Sequence, residues 1–186
     1  MNIKANIYLI LAGQAESLLN FRGPLIAALQ ASGSIVHVAA PELTADSLLK
    51  RRLLAKGMVV HSVPIRRNGT NPISDAQTLL ALWWLMRRIR PDGVLGYTIK
   101  PVIYGSIAAW LAGVPKRFAL ITGLGYAFQG NGDRNKIQQL VLGLYRIALS
   151  HAHKVFFQNP DDLTLFRRRG ILSQDAQVCV VNGSGV

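Results

Sequence analysis

Short segments that are apolar at nearly every position alternate with longer ones whose apolar residues recur at helical spacing, along almost the whole chain. The strand-like segments are Ile7–Ala12, Ile35–Ala39, Met58–Val63, Gly93–Tyr97, Arg117–Thr122, Val155–Phe157 and Val178–Val181. A strand without polar alternation is buried on both faces, which requires a parallel sheet with helices on each side. Each crossover is then right-handed. The pattern predicts an α/β, Rossmann-like, doubly wound parallel sheet of about seven strands.

Local signals punctuate the helices. Asn71-Pro72 supplies an N-cap and first helical position for a helix running through Ile89, and Asn159-Pro160 does the same later. Pro24 predicts a first helix over Gly23/Pro24–Ala31, Pro101 a helix over Pro101–Ala112, and a further helix spans Thr44–Lys56. Ile137, Leu140, Val141, Leu144, Tyr145 and Ala148 keep helical spacing. The segments Pro64–Thr70 and Gly123–Arg134 read as the mobile loops. The Gly-rich Asn182-Gly183-Ser184-Gly185-Val186 follows a strand with no helix to cover it, so residues 1–186 are expected to form one domain of a two-domain protein.

No apolar run reaches the roughly 18 residues of a membrane span, although half the chain is hydrophobic and mean hydropathy is +0.26. The lone cysteine, Cys179, permits no internal disulfide and fits a reducing compartment. Net charge is +12, and residues 50–90 hold nine basic side chains against one acid, Asp75. Arg167-Arg168-Arg169 forms a second group. Such patches suit an anionic membrane, nucleic acid or an acidic partner domain. The aromatics that stacking on nucleic acid needs are scarce in the basic stretch, so nucleic acid is disfavoured.

In a doubly wound sheet, ligands bind where the strand order reverses, beyond the carboxyl ends of strands 1 and 4. The expected loop after strand 1, Gly13 to Pro24, and the loop Thr98-Ile99-Lys100 after strand 4 meet there. Both place a cation, Arg22 or Lys100, at a helix mouth, where the macrodipole favours acids. Two such cations in one crevice point to an anion, most simply a phosphate or diphosphate. On this reading Lys100 serves the ligand, and its removal leaves stability unchanged or slightly improved. Gly123-Leu124-Gly125, with Thr122 before it, lies on the same edge and allows close backbone approach. No G-x-G-x-x-G follows strand 1 and no P-loop or G-x-S-x-G occurs, which disfavours a dinucleotide cofactor, a P-loop nucleotide and a serine nucleophile. His37 and His61 fall inside strands, and His151 and His153 lie near the opposite edge. None has metal-ligand spacing, so neither a metal nor a cofactor is expected.

Leu19-Asn20-Phe21-Arg22-Gly23-Pro24-Leu25-Ile26 resembles the first-helix entry of bacterial family-4 glycosyltransferases of the two-domain GT-B fold. Tyr97-Thr98-Ile99-Lys100-Pro101 and Ile121-Thr122-Gly123-Leu124-Gly125-Tyr126 resemble the subgroup that adds amino sugars to lipid-linked oligosaccharides. Gln158-Asn159-Pro160-Asp161-Asp162 and the Asn182–Val186 turn are similar to its later motifs.

The resemblance implies an N-terminal, acceptor-binding domain, inactive alone, whose nucleotide-sugar site belongs largely to an absent C-terminal domain. It implies transfer from a nucleotide-diphosphate sugar with retention and without a metal. The acceptor implied is an undecaprenyl-diphosphate-linked saccharide at the cytoplasmic face of the cell membrane. By position, Gly13 and Gln14 would face the donor diphosphate. Thr98 and Lys100 would lie beside the transferred sugar or the acceptor phosphate, and Thr122, Gly123 and Gly125 would line the acceptor side. Relatives often have paired glycines after strand 1 and a His near the end of strand 4, where this chain has Gly13-Gln14 and Tyr97-Thr98. What remains is positioning and electrostatic stabilisation. Other readings of the same residues are a nucleotide-sugar epimerase of the GT-B fold or a basic Rossmann-like module that binds nucleic acid or a nucleotide.

Overall fold

A computed structural model describes residues 5–66, 71–123 and 134–183. Seven strands form one sheet: β1 (Ile7–Leu11), β2 (Ile35–Ala40), β3 (Val59–Ser62), β4 (Gly93–Tyr97), β5 (Lys116–Ile121), β6 (Lys154–Phe157) and β7 (Val178–Val180). Every described pairing is parallel and the order is β3-β2-β1-β4-β5-β6-β7. The order reverses between β1 and β4, where Leu11 pairs with Gly96 at the carboxyl edge. The doubly wound expectation holds.

Among the described residues, six helices connect the strands: α1 (Glu16–Ala31), α2 (Leu48–Ala55), α3 (Pro72–Ile89), α4 (Ile99–Leu111), α5 (Arg134–Ser150) and α6 (Pro160–Arg168). On one face, Leu18 and Ile26 of α1 and Leu53 of α2 pack with Ile10, Val36 and Val38. On the other, Leu82 and Met86 of α3 and Ala108 and Ala109 of α4 cover Leu9, Leu11 and Val94. Tyr145 of α5 and Phe166 of α6 continue that layer over Val155 and Phe157. The caps follow the sequence: Asn71 Oδ1 accepts the Ile73 and Ser74 N–H groups, and Asn159 Oδ1 accepts that of Asp161.

One boundary differs in a way that matters. The first helix begins at Glu16 and carries Pro24 in its interior, so the long loop expected up to Pro24 is a short turn. An interior proline costs about 3 kcal/mol. Leu18, Arg22 and Ile26 recur every four residues and are all buried, and extending the helix toward its N-terminus puts Leu18 into the core. Full burial of a Leu contributes about 1.5–3 kcal/mol, and Glu16 in the first turn suits the dipole. Pro24 itself sits on the exposed side. Of the two expected loops, residues 67–70 and 124–133 lie outside the described residues.

Candidate functional site

Three glycines seat α4 against the sheet where β1 and β4 end. A Cβ on Gly96 would come within 2.5 Å of the Pro101 carbonyl oxygen, and one on Gly105 would strike the Leu11 side chain. A Cβ on Gly13 would lie 2.6 Å from Thr98 Oγ1, so the turn after β1 and the start of α4 abut with no room for a side chain. Thr98 occupies φ 68°, ψ 165°, a region otherwise almost reserved for glycine, at a cost of about 1–3 kcal/mol. Its side chain is exposed and makes no capping bond to α4. The mouth of α4 therefore has an uncapped N-terminus, a strained threonine and no acid in its first turn.

Lys100, expected in the loop just ahead of a helix starting at Pro101, lies inside the first turn of α4, and it is not an uncompensated charge. Its Nζ donates to Asp75 Oδ1 at 2.7 Å, and the two side chains are only 13% and 12% exposed. Asp75 comes from the first turn of α3, where the dipole favours a carboxylate. Tyr104 lies one turn along α4 from Lys100 and feels the same carboxylate. Burial first, and then Asp75, push the Tyr104 phenol well above its usual range. An ammonium has three N–H donors, so one bond to Asp75 leaves two for another oxygen. Asp75 was legible only as the single acid among nine bases between residues 50 and 90.

Arg22 is placed differently from its expectation. It lies in the middle of α1, only 5% exposed, with its guanidinium 4.6 Å over the Tyr97 ring and Nη1 donating to the Phe21 carbonyl. Burial lowers its pKa. Tyr97 packs with the α1 layer and Asp75 sits on α3, so the partners of the two cations lie on opposite faces of the sheet. The reason is the N-terminal extension of α1, which moves Arg22 from a helix mouth into a helix interior.

Around Gln14 the structure adds a relay that the sequence did not suggest. Ser17 Oγ donates to the Gln14 carbonyl at 2.5 Å and lies 2.7 Å from the Tyr97 hydroxyl. With the Ser17 proton committed, the Tyr97 hydroxyl donates to Ser17. Burial raises the Tyr97 pKa to about 12, which keeps that proton in place at neutral pH. The relay fixes the backbone of the Gly13–Gln14 turn and leaves the Gln14 side chain exposed.

Thr122 and Gly123 follow β5 on the same edge, Thr122 half-buried and Gly123 exposed at φ 130°. Gly125 lies outside the described residues. Asp162, in the first turn of α6, is 8% exposed, and its Oδ2 has no partner among the described residues. Burial, then Asp161, raise its pKa. His37 and His61 stack, with Nδ1 of one 2.9 Å from Nε2 of the other. Burial, His37 and Arg88 lower the His61 pKa to about 4. Among the described residues no three His, Cys, Asp or Glu side chains gather as a metal would need.

A doubly wound sheet with a cation held at the mouth of α4 and a tight glycine turn after β1 describes a Rossmann-like half of the kind found in GT-B sugar-nucleotide enzymes. A family model described as glycosyl transferase 4-like matches residues 9–159, and the chain belongs to that family. Over 177 residues it is 25% identical to the N,N'-diacetylbacillosaminyl-diphospho-undecaprenol alpha-1,3-N-acetylgalactosaminyltransferase of Campylobacter jejuni, covering 95% of this chain and 46% of that one. Among solved structures, a UDP-N-acetylglucosamine 2-epimerase superposes with a TM-score of 0.65 at 14% identity, covering 97% of this chain and 46% of the other. MurG of Acinetobacter baumannii superposes at 0.58 and 17% identity, covering 98% and 46%. These structural likenesses establish the fold. The chain spans about half the length of these relatives.

Proposed function

We infer that this chain is the acceptor-side half of a retaining glycosyltransferase. The enzyme would move an N-acetylated amino sugar from a nucleotide-diphosphate donor to an undecaprenyl-diphosphate-linked saccharide at the cytoplasmic membrane face. Membership of the family and the likeness to a transferase named for that kind of acceptor support the reading. The observation that carries it is Lys100, held by Asp75 at the mouth of α4 beside Thr98 and Gly13.

In this reading Lys100 gives its two remaining N–H donors to phosphate oxygens of the acceptor, and the uncapped N-terminus of α4 adds to the attraction. Thr98 offers its hydroxyl to the acceptor sugar, and Thr122 and Gly123 line the acceptor. The Gly13–Gln14 turn, fixed through Ser17, approaches the donor diphosphate across a cleft completed by a second, donor-binding half. The chain's own contribution is to orient the acceptor and offset phosphate charge.

The test is transfer by the full-length polypeptide carrying this chain, using a nucleotide-diphosphate N-acetylhexosamine and an undecaprenyl-diphosphate saccharide. NMR then reads the anomeric configuration of the product. Retained configuration is expected, and residues 1–186 alone should transfer nothing. Conversion of the sugar nucleotide to its C2 epimer without any acceptor would favour the epimerase reading instead.

A further inference from the structure

At the edge of the sheet opposite Lys100, the C-terminal ends of α3 and α4 border a cavity of about 230 Å³. Lys100 and the C-cap Ala112, which lines the cavity, stand at the two ends of α4, about 18 Å apart at 1.5 Å rise per residue. The lining combines three kinds of group. Met86, Pro91 and Val114 are buried and apolar. Asp92 accepts the Ile7 N–H on Oδ2 at 2.7 Å, and its Oδ1 has no partner among the described residues. Arg87 and Arg90 are exposed, and neither guanidinium has an ion-pair partner among the described residues.

Arg90 is held there against a local preference. It caps α3 at φ 48°, ψ 62°, the left-handed conformation in which glycine is usual. The negative end of the α3 dipole is already answered by Arg87 and Arg88 in the last turn. The dipole therefore gives no reason for an arginine at the one position that disfavours a side chain, and such local conflicts mark function.

We propose that this cavity binds a small carboxylate that carries a hydroxyl, at a site separate from the mouth of α4. The charges define the class. Two guanidinium groups facing one carboxylate leave a single positive charge, which a monoanion neutralises and a phosphate dianion overfills. A planar carboxylate also matches the guanidinium fork with two parallel N–H···O bonds. The second oxygen of Asp92 accepts a bond, which a hydroxyl donates. The volume is below that of pockets for drug-sized molecules and suits about ten non-hydrogen atoms. Met86, Pro91 and Val114 favour an apolar ring or chain between the two polar ends. The site stands on these residues alone and does not depend on the sugar-transfer reading.

The probe is 4-hydroxybenzoate, which has that size and sets a carboxylate, a ring and a hydroxyl in line. Ligand-observed NMR titration of the full-length polypeptide carrying this chain reads the affinity. A dissociation constant of about 1 mM or below is expected. The uncharged 4-hydroxybenzamide should bind at least about tenfold more weakly, and benzoate, which lacks the hydroxyl, about three- to tenfold more weakly. Arg87→Gln and Arg90→Gly should each weaken binding about tenfold. Arg90→Gly should keep or raise Tm, because glycine adopts the cap without strain, so its loss of binding is not a loss of fold. Ala112→Leu, which fills part of the cavity, should weaken binding as well, whereas Lys100→Met should bind as the wild type.

A wild type that does not bind the probe overturns the proposal, as does undiminished binding by the Arg87, Arg90 and Ala112 variants. Equal affinity for the uncharged amide, or for benzoate, refutes the assigned ligand class. Loss of binding in Lys100→Met would put the carboxylate at the mouth of α4 and refute a separate site.

Discussion

Replacing Lys100 by methionine keeps most of the side-chain volume and removes one member of the pair with Asp75. Both side chains are nearly buried, at 13% and 12% exposure, so water does not substitute for the lost ammonium. Breaking a buried pair from one side costs about 3–5 kcal/mol. Two features reduce that here. Asp75 keeps its place in the first turn of α3, and α4 loses a cation that its dipole disfavours by about 0.3–1 kcal/mol. The expected net loss is about 1–3 kcal/mol, and about 2 kcal/mol corresponds to a fall in Tm of ~4–8 °C at this chain length. Urea unfolding of the wild type, Lys100→Met, Asp75→Asn and the double variant reads it. The double variant leaves no uncompensated charge and should recover most of the loss, giving a coupling of about 1–2 kcal/mol. In the full-length enzyme the same double variant should still bind acceptor about ten- to a hundredfold more weakly, because a charge-assisted phosphate contact is gone. A Lys100→Met protein as stable as the wild type would refute the ion-pair argument and restore the simpler view of Lys100 as a charge held only for the ligand.

Gly13→Ala should cost about 1–3 kcal/mol, because the new Cβ meets Thr98 Oγ1 at 2.6 Å, and adding Thr98→Gly should recover it in thermal unfolding. Thr98→Gly alone should stabilise by about 1 kcal/mol, since glycine adopts φ 68° without strain. His61, with its pKa lowered to about 4 from an unfolded value near 6.5, is held neutral by the fold. The unfolded chain therefore binds the proton first as pH falls, so this stability is full above about pH 6.5 and lost progressively toward pH 4. Urea unfolding across that window should show a shallower loss for His61→Gln. Arg22→Ala and Lys100→Met should destabilise additively within about 0.5 kcal/mol, because their partners lie on opposite sides of the sheet.

The sheet was legible because its strands are buried on both faces and so read as apolar runs, which fixed the parallel order and the position of the switch point. The caps at Asn71 and Asn159 were legible because each is a local bond between neighbours in sequence. The first helix was misread because Pro24 is a strong local stop, while the burial of Leu18 that overrides it is a tertiary effect. The misplacement of Arg22 follows from that one error. Lys100 was found for its conflict with the helix dipole, but its partner is 25 residues away on another helix. Nothing local in the sequence announces that pairing. The relay from Tyr97 through Ser17 to Gln14 is invisible for the same reason, as its members come from β4 and the start of α1.

The close seating of α4 bears on how such a site can respond to a ligand. Where Gly96 meets Pro101 and Gly105 meets Leu11, backbone and side chain leave no slack between helix and sheet. Interiors packed at that density do not deform gradually. The helix that presents Lys100 therefore cannot slide toward an incoming phosphate by even a few tenths of an ångström without disturbing β1 and β4 together. On the proposed function, adaptation to different acceptors would come from segments outside this seat, and any closure against a second half would carry this domain as one rigid block.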